Sequence, residues 1–246
     1  MDGELLEAKF VASGIDAYQT FCRLLPADTL PAVYRQAVER IDYNSASMKI
    51  NLALSELPDF TAMPGKAALG SQHRGTIHIN ADMQNLEKAW FDAQQGRPSE
   101  KPIVEMTIPT SVDETLAPAG HHVASLFVQY APYELADGRW DDLKEAFADR
   151  CVSEIARFAP NIETAIEHRQ VLTPVDLERI YGLTGGNIFQ GAMSLHQLFS
   201  MRPVPGWSDY RTPLGGLYLC GSATHPGGGV MGASGRNAAK AMLADG

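Results

Sequence analysis

The sequence predicts an α+β fold: a mixed β-sheet with flanking helices, completed by a C-terminal strand, glycine loop and helix. Three observations carry that prediction. Apolar and polar residues alternate through Met48, Lys49, Ile50, Asn51, Leu52, Ala53, Leu54 and Ser55, the period of a half-buried strand. The run HHVASLFVQYAPY, from His121 to Tyr133, is apolar enough for a central strand. Between Trp140 and Pro160 the residues Leu143, Phe147, Val152, Ile155 and Phe158 describe an amphipathic helix, which Pro160 ends because proline breaks a helix interior.

The other elements follow in chain order. The opening, Leu5 to Ser13, reads as a short strand (AKFVAS) stopped at Gly14. Residues 16–41 read as a helix in two pieces, with Pro26 and Pro31 marking breaks or first turns. GTIHIN (75–80) continues the strand pattern, DMQNLEKAWFDAQQG (82–96) has Met83, Leu86 and Trp90 at helical spacing, and PIVEMTIPT (102–110) is another strand. TPVDLERIYG (173–182) announces a helix: Thr173 can cap it, Pro174 suits its first position and Asp176 sits in its first turn. Repeats and low-complexity linkers are absent, so any division into domains comes from the chain folding back on itself.

Composition bounds what such a fold can do. A formal charge of -9 without a basic stripe excludes a dedicated nucleic-acid binder, since that affinity comes from Lys and Arg neutralising phosphates. No apolar run reaches the roughly 18 residues that span a bilayer, and the opening MDGELLEAKF is acidic, so a soluble, cytoplasmic chain with no transmembrane segment is expected. Cys22, Cys151 and Cys220 are three, far apart and without zinc spacing, which reads as reduced thiols. His121 and His122 are adjacent on a strand and point to opposite faces, and no metal site is expected. GxSxG, P-loop and HExxH patterns do not occur.

The informative stretch is GLYLCGSATHPGGGVMGASGRNAAKAML, Gly216 to Leu243, where an apolar strand enters a glycine cluster and then a small-residue helix. Gly227, Gly229 and Gly232 match GxGxxG in letter, but the following strand with an acid about 20 residues on is missing, so the dinucleotide reading fails. Two readings stay open on the residues alone. The glycines let backbone N–H groups at a helix N-terminus approach an electron-rich ligand, or they only fit a crowded strand-to-helix corner.

LYLCGSATHPGGGVMGASGRNAA resembles the C-terminal flavin-binding signature of the phytoene desaturase-like flavoproteins, within the larger flavin amine oxidase group. HHVASLFVQYAPYELADGRWDD (121–142), LTPVDLERIYGLTGGNIFQGAMSLHQLF (172–199) and RPVPG (202–206) resemble the same family in the same order. The resemblance implies that residues 1–15 and 200–246 form the C-terminal part of a Rossmann-like FAD-binding domain and 16–199 the substrate-binding domain. It implies FAD as cofactor and dehydrogenation by hydride transfer from an apolar or amine-like small molecule. By the same resemblance Gly221 and Ser222 end the last strand beside the ribityl-pyrophosphate. His225, Pro226, Gly227, Gly228 and Gly229 line the flavin, and the N–H groups of Val230 and Met231 meet its pyrimidine edge. Gly186, Asn187 and Phe189 reach it from the substrate side. His225 is the sole candidate for a catalytic role, beside a plainer reading as a fixed hydrogen-bond donor.

One departure bears on all of this: the family's N-terminal GxGxxG unit, which holds the ADP half of FAD, is not in the sequence. An incomplete or split chain is therefore expected, binding FAD once an N-terminal FAD-binding half is supplied; that half, or a second copy of the chain by self-association, is the expected protein partner. The alternative is a non-catalytic binding or assembly module that has lost the nucleotide-binding half.

Overall fold

The structure is a computed structural model, and it describes residues 3 and 5–246. In chain order its elements are β1 (Val11–Ser13), a turn of π-helix (Gln19–Arg23), α1 (Ala32–Glu39), β2 (Ser47–Leu54), β3 (Ile77–Ile79), α2 (Met83–Gln94) and β4 (Ile103–Thr107). There follow β5 (His122–Gln129), α3 (Trp140–Ala156), the short α4 (Ile162–Ala165), β6 (Ile166–Leu172), α5 (Pro174–Tyr181), β7 (Leu217–Leu219) and α6 (Ala233–Asp245). The chain divides into two compact units, 45–177 and 1–44 with 178–246. No helix among the described residues is long and apolar enough to cross a membrane.

The unit of residues 45–177 is built on a five-stranded sheet in the order β3-β4-β5-β2-β6. Alternation in β2 does what its period demands: Met48, Ile50, Leu52 and Leu54 are buried while Lys49, Asn51 and Ala53 are half-buried. Ile50 lies opposite Leu126 of β5 and Val171 of β6, and these side chains join Phe147, Cys151, Val152 and Ile155 of α3 in one core. The apolar β5 is the middle strand, as its composition predicts. Every pairing in this sheet is antiparallel, which corrects the expected mixed sheet. The pattern explains it, since strands with one apolar and one half-polar face suit antiparallel sheets and not doubly covered parallel ones.

Two details of this unit differ from the sequence reading. β6 was not foreseen, because Glu167, His168, Arg169 and Gln170 are exposed on an edge strand and carry no alternation. It is held by pairing with β2 and by Arg169, whose guanidinium bridges Glu145 (2.7 Å) and Asp149 (2.5 Å) of α3. α2 turns its apolar residues outward: Met83 and Trp90 are exposed, while Asn85, Ala89 and Asp92 are buried. The Asn85 amide donates to the carbonyls of Asn80 (3.0 Å) and Lys101 (3.1 Å), so a polar side chain docks this helix. α5 starts as the sequence predicts, with Thr173 Oγ1 accepting from Asp176 N (3.1 Å) and Asp176 Oδ2 accepting from Thr173 N (3.1 Å).

The second unit joins the two ends of the chain. β1 and β7 pair in parallel, with Val11 beside Leu217 and Ser13 beside Leu219. Ala17, Phe21, Leu30, Tyr34, Val38, Val204 and Leu219 form its core, in which Tyr34 meets Phe21 (5.1 Å) and Trp207 (5.2 Å) edge to face. Residues 16–44 contribute to this core and 178–199 fall in the same compact unit, which differs from the expected substrate-domain span of 16–199.

Candidate functional site

The site is the segment from β7 to α6 together with the turns that pack on it, all within the second unit. β7 hands over to a tight turn in which Gly221 O accepts from both the N–H (3.1 Å) and the hydroxyl (2.9 Å) of Thr224. Gln190 fixes the turn to β1, donating to Gly14 O (3.0 Å) and accepting from Ala223 N (3.1 Å). A side chain at Gly221 would run into Gly14 O, which is why this position needs glycine.

The glycine run then serves two ends at once. On one side it meets the chain's own side chains: a Cβ at Gly227 would stand 2.8 Å from Met193 Sδ, and one at Gly228 would enter the Phe189 ring. The other side is open. Gly229 and Val230 are exposed, as are Met231 and Gly232, the last with a φ of 65° at the N-cap of α6. The N–H groups of Gly228, Gly229 and Val230 make no hydrogen bond among the described residues. Met231 N, by contrast, donates to Gly229 O (3.0 Å) inside the loop.

His225 is held by its backbone, where its carbonyl accepts from Tyr210 Oη (3.0 Å) and Ser234 Oγ (3.3 Å). Asn237 donates to the same Tyr210 hydroxyl (2.8 Å), and the His225 ring lies 6.5 Å from that of Phe199. Its Nδ1 is buried without a hydrogen-bond partner among the described residues. Gly186 and Asn187 are buried rather than presented to an open surface. Asn187 gives its whole amide to the fold: Nδ2 donates to Asn44 O (2.8 Å), and Oδ1 accepts from Phe189 N (2.9 Å) and Gly191 N (3.2 Å). Of that trio Phe189 alone reaches the loop, against Gly228.

Two residues that the sequence reading passed over organise this unit. Arg202 is buried, and its guanidinium donates to the carbonyls of Ser222 (2.9 Å), Gly191 (3.3 Å), Ala192 (3.4 Å), Gln197 (3.5 Å) and Phe189. It pairs with no carboxylate among the described residues, and burial pulls its pKa below the ordinary arginine value. Its only trace in the sequence is its place at the head of RPVPG. Asp16 is also buried, accepting from Gln19 N (2.8 Å), Thr184 Oγ1 (2.8 Å), Thr184 N (3.3 Å) and Tyr43 Oη (3.3 Å). Burial first, then the Asp16 carboxylate, pushes the Tyr43 phenol above its usual range, which keeps it a neutral donor.

The histidine pair lies in the other unit. His121 Nε2 is 3.5 Å from Glu167 Oε2 and His122 Nδ1 is 3.4 Å from Thr110 Oγ1, and burial lowers the pKa of His122. Among the described residues no group of three His, Cys, Asp or Glu is arranged to hold a metal ion.

The donor set around the loop fits the flavin that the resemblance implies. Unbonded amides in the loop ahead of α6 suit an electron-rich polar edge, and the half-exposed Phe189 with the exposed Phe199 and Met231 suit a flat apolar ring.

Comparison with known proteins finds relatives named as oxidoreductases. No family model matches the chain. It is 48% identical over 250 residues to pyridine nucleotide-disulfide oxidoreductase domain-containing protein 2 of Rattus norvegicus, covering 99% of this chain and 43% of that protein. It is 32% identical over 148 residues to a limonene dehydrogenase polypeptide of Castellaniella defragrans, covering 58% of this chain and 27% of that protein. It is likewise 32% identical over 145 residues to a 4,4'-diapophytoene desaturase of Staphylococcus aureus, covering 55% of this chain and 27% of that protein. The crystal structure of an oxidoreductase from Methanosarcina mazei matches all of this chain and 44% of its own at a TM-score of 0.51 and 15% identity, a likeness of fold alone. The chain spans less than half the length of the first of these relatives. Its motifs resemble those of the phytoene desaturase-like group, and the relatives it matches are named as an oxidoreductase domain-containing protein, a dehydrogenase and a desaturase.

Proposed function

We propose that this chain is the substrate-binding and C-terminal cofactor-contacting part of an FAD-dependent oxidoreductase that dehydrogenates an apolar or amine-like small molecule. The observation that carries the reading is the open side of the glycine loop, where the N–H groups of Gly228, Gly229 and Val230 stand unbonded ahead of α6. When bound, the flavin supplies the acceptor for a hydride. The chain binds and orients it: the loop amides hold its polar edge, while Gly221 and Ser222 lie at the ribityl end. Phe189, Phe199 and Met231 shield the ring from water. His225 acts as a fixed hydrogen-bonding group through its unpartnered Nδ1. Residues 1–44 and 178–246 belong to the FAD-binding domain, 45–177 form the substrate domain, and an N-terminal FAD-binding half completes the cofactor site.

The test is a titration of FAD fluorescence and visible absorption against the purified chain, alone and mixed with the remaining part of the Rattus norvegicus relative. Stoichiometric binding on mixing is expected, weakened about tenfold by Gly229→Val, because a β-branched residue is strained at a φ of 135°. A folded sample that binds no FAD in either condition overturns the reading and leaves a binding or assembly module in its place.

A further inference from the structure

Resting on that flavin reading, we infer that Arg202 is a positioning residue: it ties the 189–197 turns to Ser222 at the base of the glycine loop and sets an unpaired positive charge behind that loop, so that the loop favours the reduced, anionic form of its ligand.

A buried guanidinium is ordinarily matched by a carboxylate, because an isolated charge loses its hydration on burial. Arg202 instead meets five carbonyl oxygens. Carbonyls satisfy its N–H groups yet leave its unit charge uncancelled. Four of the five come from the 189–197 turns and the fifth from Ser222, so one side chain clamps two otherwise irregular segments. The charge lies directly behind the loop: a Cβ at Gly227 would stand 3.6 Å from Arg202 Nε. In such a low-dielectric interior a charge acts strongly on a ligand across the loop. A hydrogen-bonding role alone would be met by a neutral side chain at smaller desolvation cost.

The two roles separate in the complete assembly of this chain with the remaining part of the Rattus norvegicus relative. Dissociation constants are measured for oxidised and for dithionite-reduced FAD, together with amide hydrogen exchange across residues 189–232. The unsubstituted assembly is expected to bind reduced FAD more tightly than oxidised FAD. Arg202→Gln is expected to lower that preference about tenfold, a fall of about 30 mV in the two-electron potential of the bound flavin. Arg202→Lys keeps the charge and loses the fork, so it should hold the preference within about twofold. Both substitutions should speed exchange at 189–197 and 221–229.

An unchanged preference in Arg202→Gln overturns the inference while leaving FAD binding intact. If Arg202→Gln does not fold, the unsubstituted assembly decides: equal or weaker affinity for reduced FAD overturns the inference. No FAD binding by the unsubstituted assembly overturns the flavin reading itself, and this inference with it.

Discussion

The two units of the molecule are held together in different ways. In residues 45–177 the sheet core is apolar: Ile50, Leu126 and Val128 are fully buried and interdigitate with α3, and strand pairing satisfies the backbone. Among the described residues of the unit of the chain ends, only two three-residue strands pair, and much of the rest is turns. Its buried backbone groups still need partners. Side chains supply them: Asp16, Asn187, Gln197 and Arg202 are all buried, and each bonds to main-chain atoms. Regular structure lets a core be greasy, whereas irregular structure needs polar pegs inside. The candidate site sits on the second kind of scaffold, where backbone N–H groups can be left open at the glycine loop.

If that contrast holds, cutting a large apolar side chain in the first unit should have the greatest effect. Leu126→Ala removes a fully buried side chain from the middle strand, and a loss of about 3 kcal/mol is expected from transfer and cavity together. Urea unfolding followed through the buried Trp140 measures it; a loss under about 1 kcal/mol would mean the sheet core is loosely packed.

A smaller but still large effect is expected from a polar residue in the second unit. Asp16→Ala strips the acceptor from the Gln19 and Thr184 amides and from two hydroxyls, and about 2 kcal/mol should be lost. Trp207, packed on Tyr34, reports it by fluorescence in the same urea experiment. An unchanged midpoint would break the comparison, because it would show that the buried polar groups of this unit do not hold it.

The same contrast explains what could be read in advance. β2, β5, α3 and the start of α5 were legible because each is governed by period or by capping, which neighbouring residues display. β6 was hidden because an edge strand with Glu167, His168, Arg169 and Gln170 exposed has no alternation to see. In the site, Gly221 and the Gly227–Gly232 run stood out, since glycine marks close approach or positive φ in the sequence itself. The backbone bonds of Asn187, Arg202 and Asp16 were not legible, because a buried polar residue looks like an exposed one until its backbone partners are known. Asp16 did leave one signal, an acid three residues before the amide of Gln19 that it caps.

α2 is the exception inside the sheet unit, and it sharpens the contrast most finely. Its apolar residues Met83 and Trp90 have helical spacing but face outward, and its inward face is Asn85, Ala89 and Asp92. Asp92 is tied to Lys88 (3.0 Å) and Arg97 (3.0 Å), and although its partial burial opposes ionisation, those two cations hold its carboxyl below the ordinary value. A group whose folded pKa is depressed contributes stability above its unfolded pKa and loses it as pH falls through the folded one. Acid therefore loosens the C-terminal end of α2, where those pairs lie, while its docking through the Asn85 amide is untouched, and its exposed indole contributes little. Trp90→Gln should change stability by no more than about 0.5 kcal/mol at neutral pH, as for other exposed positions. A larger loss would show that the apolar face of α2 is covered in solution, and the helix would then follow the rule of the sheet core after all.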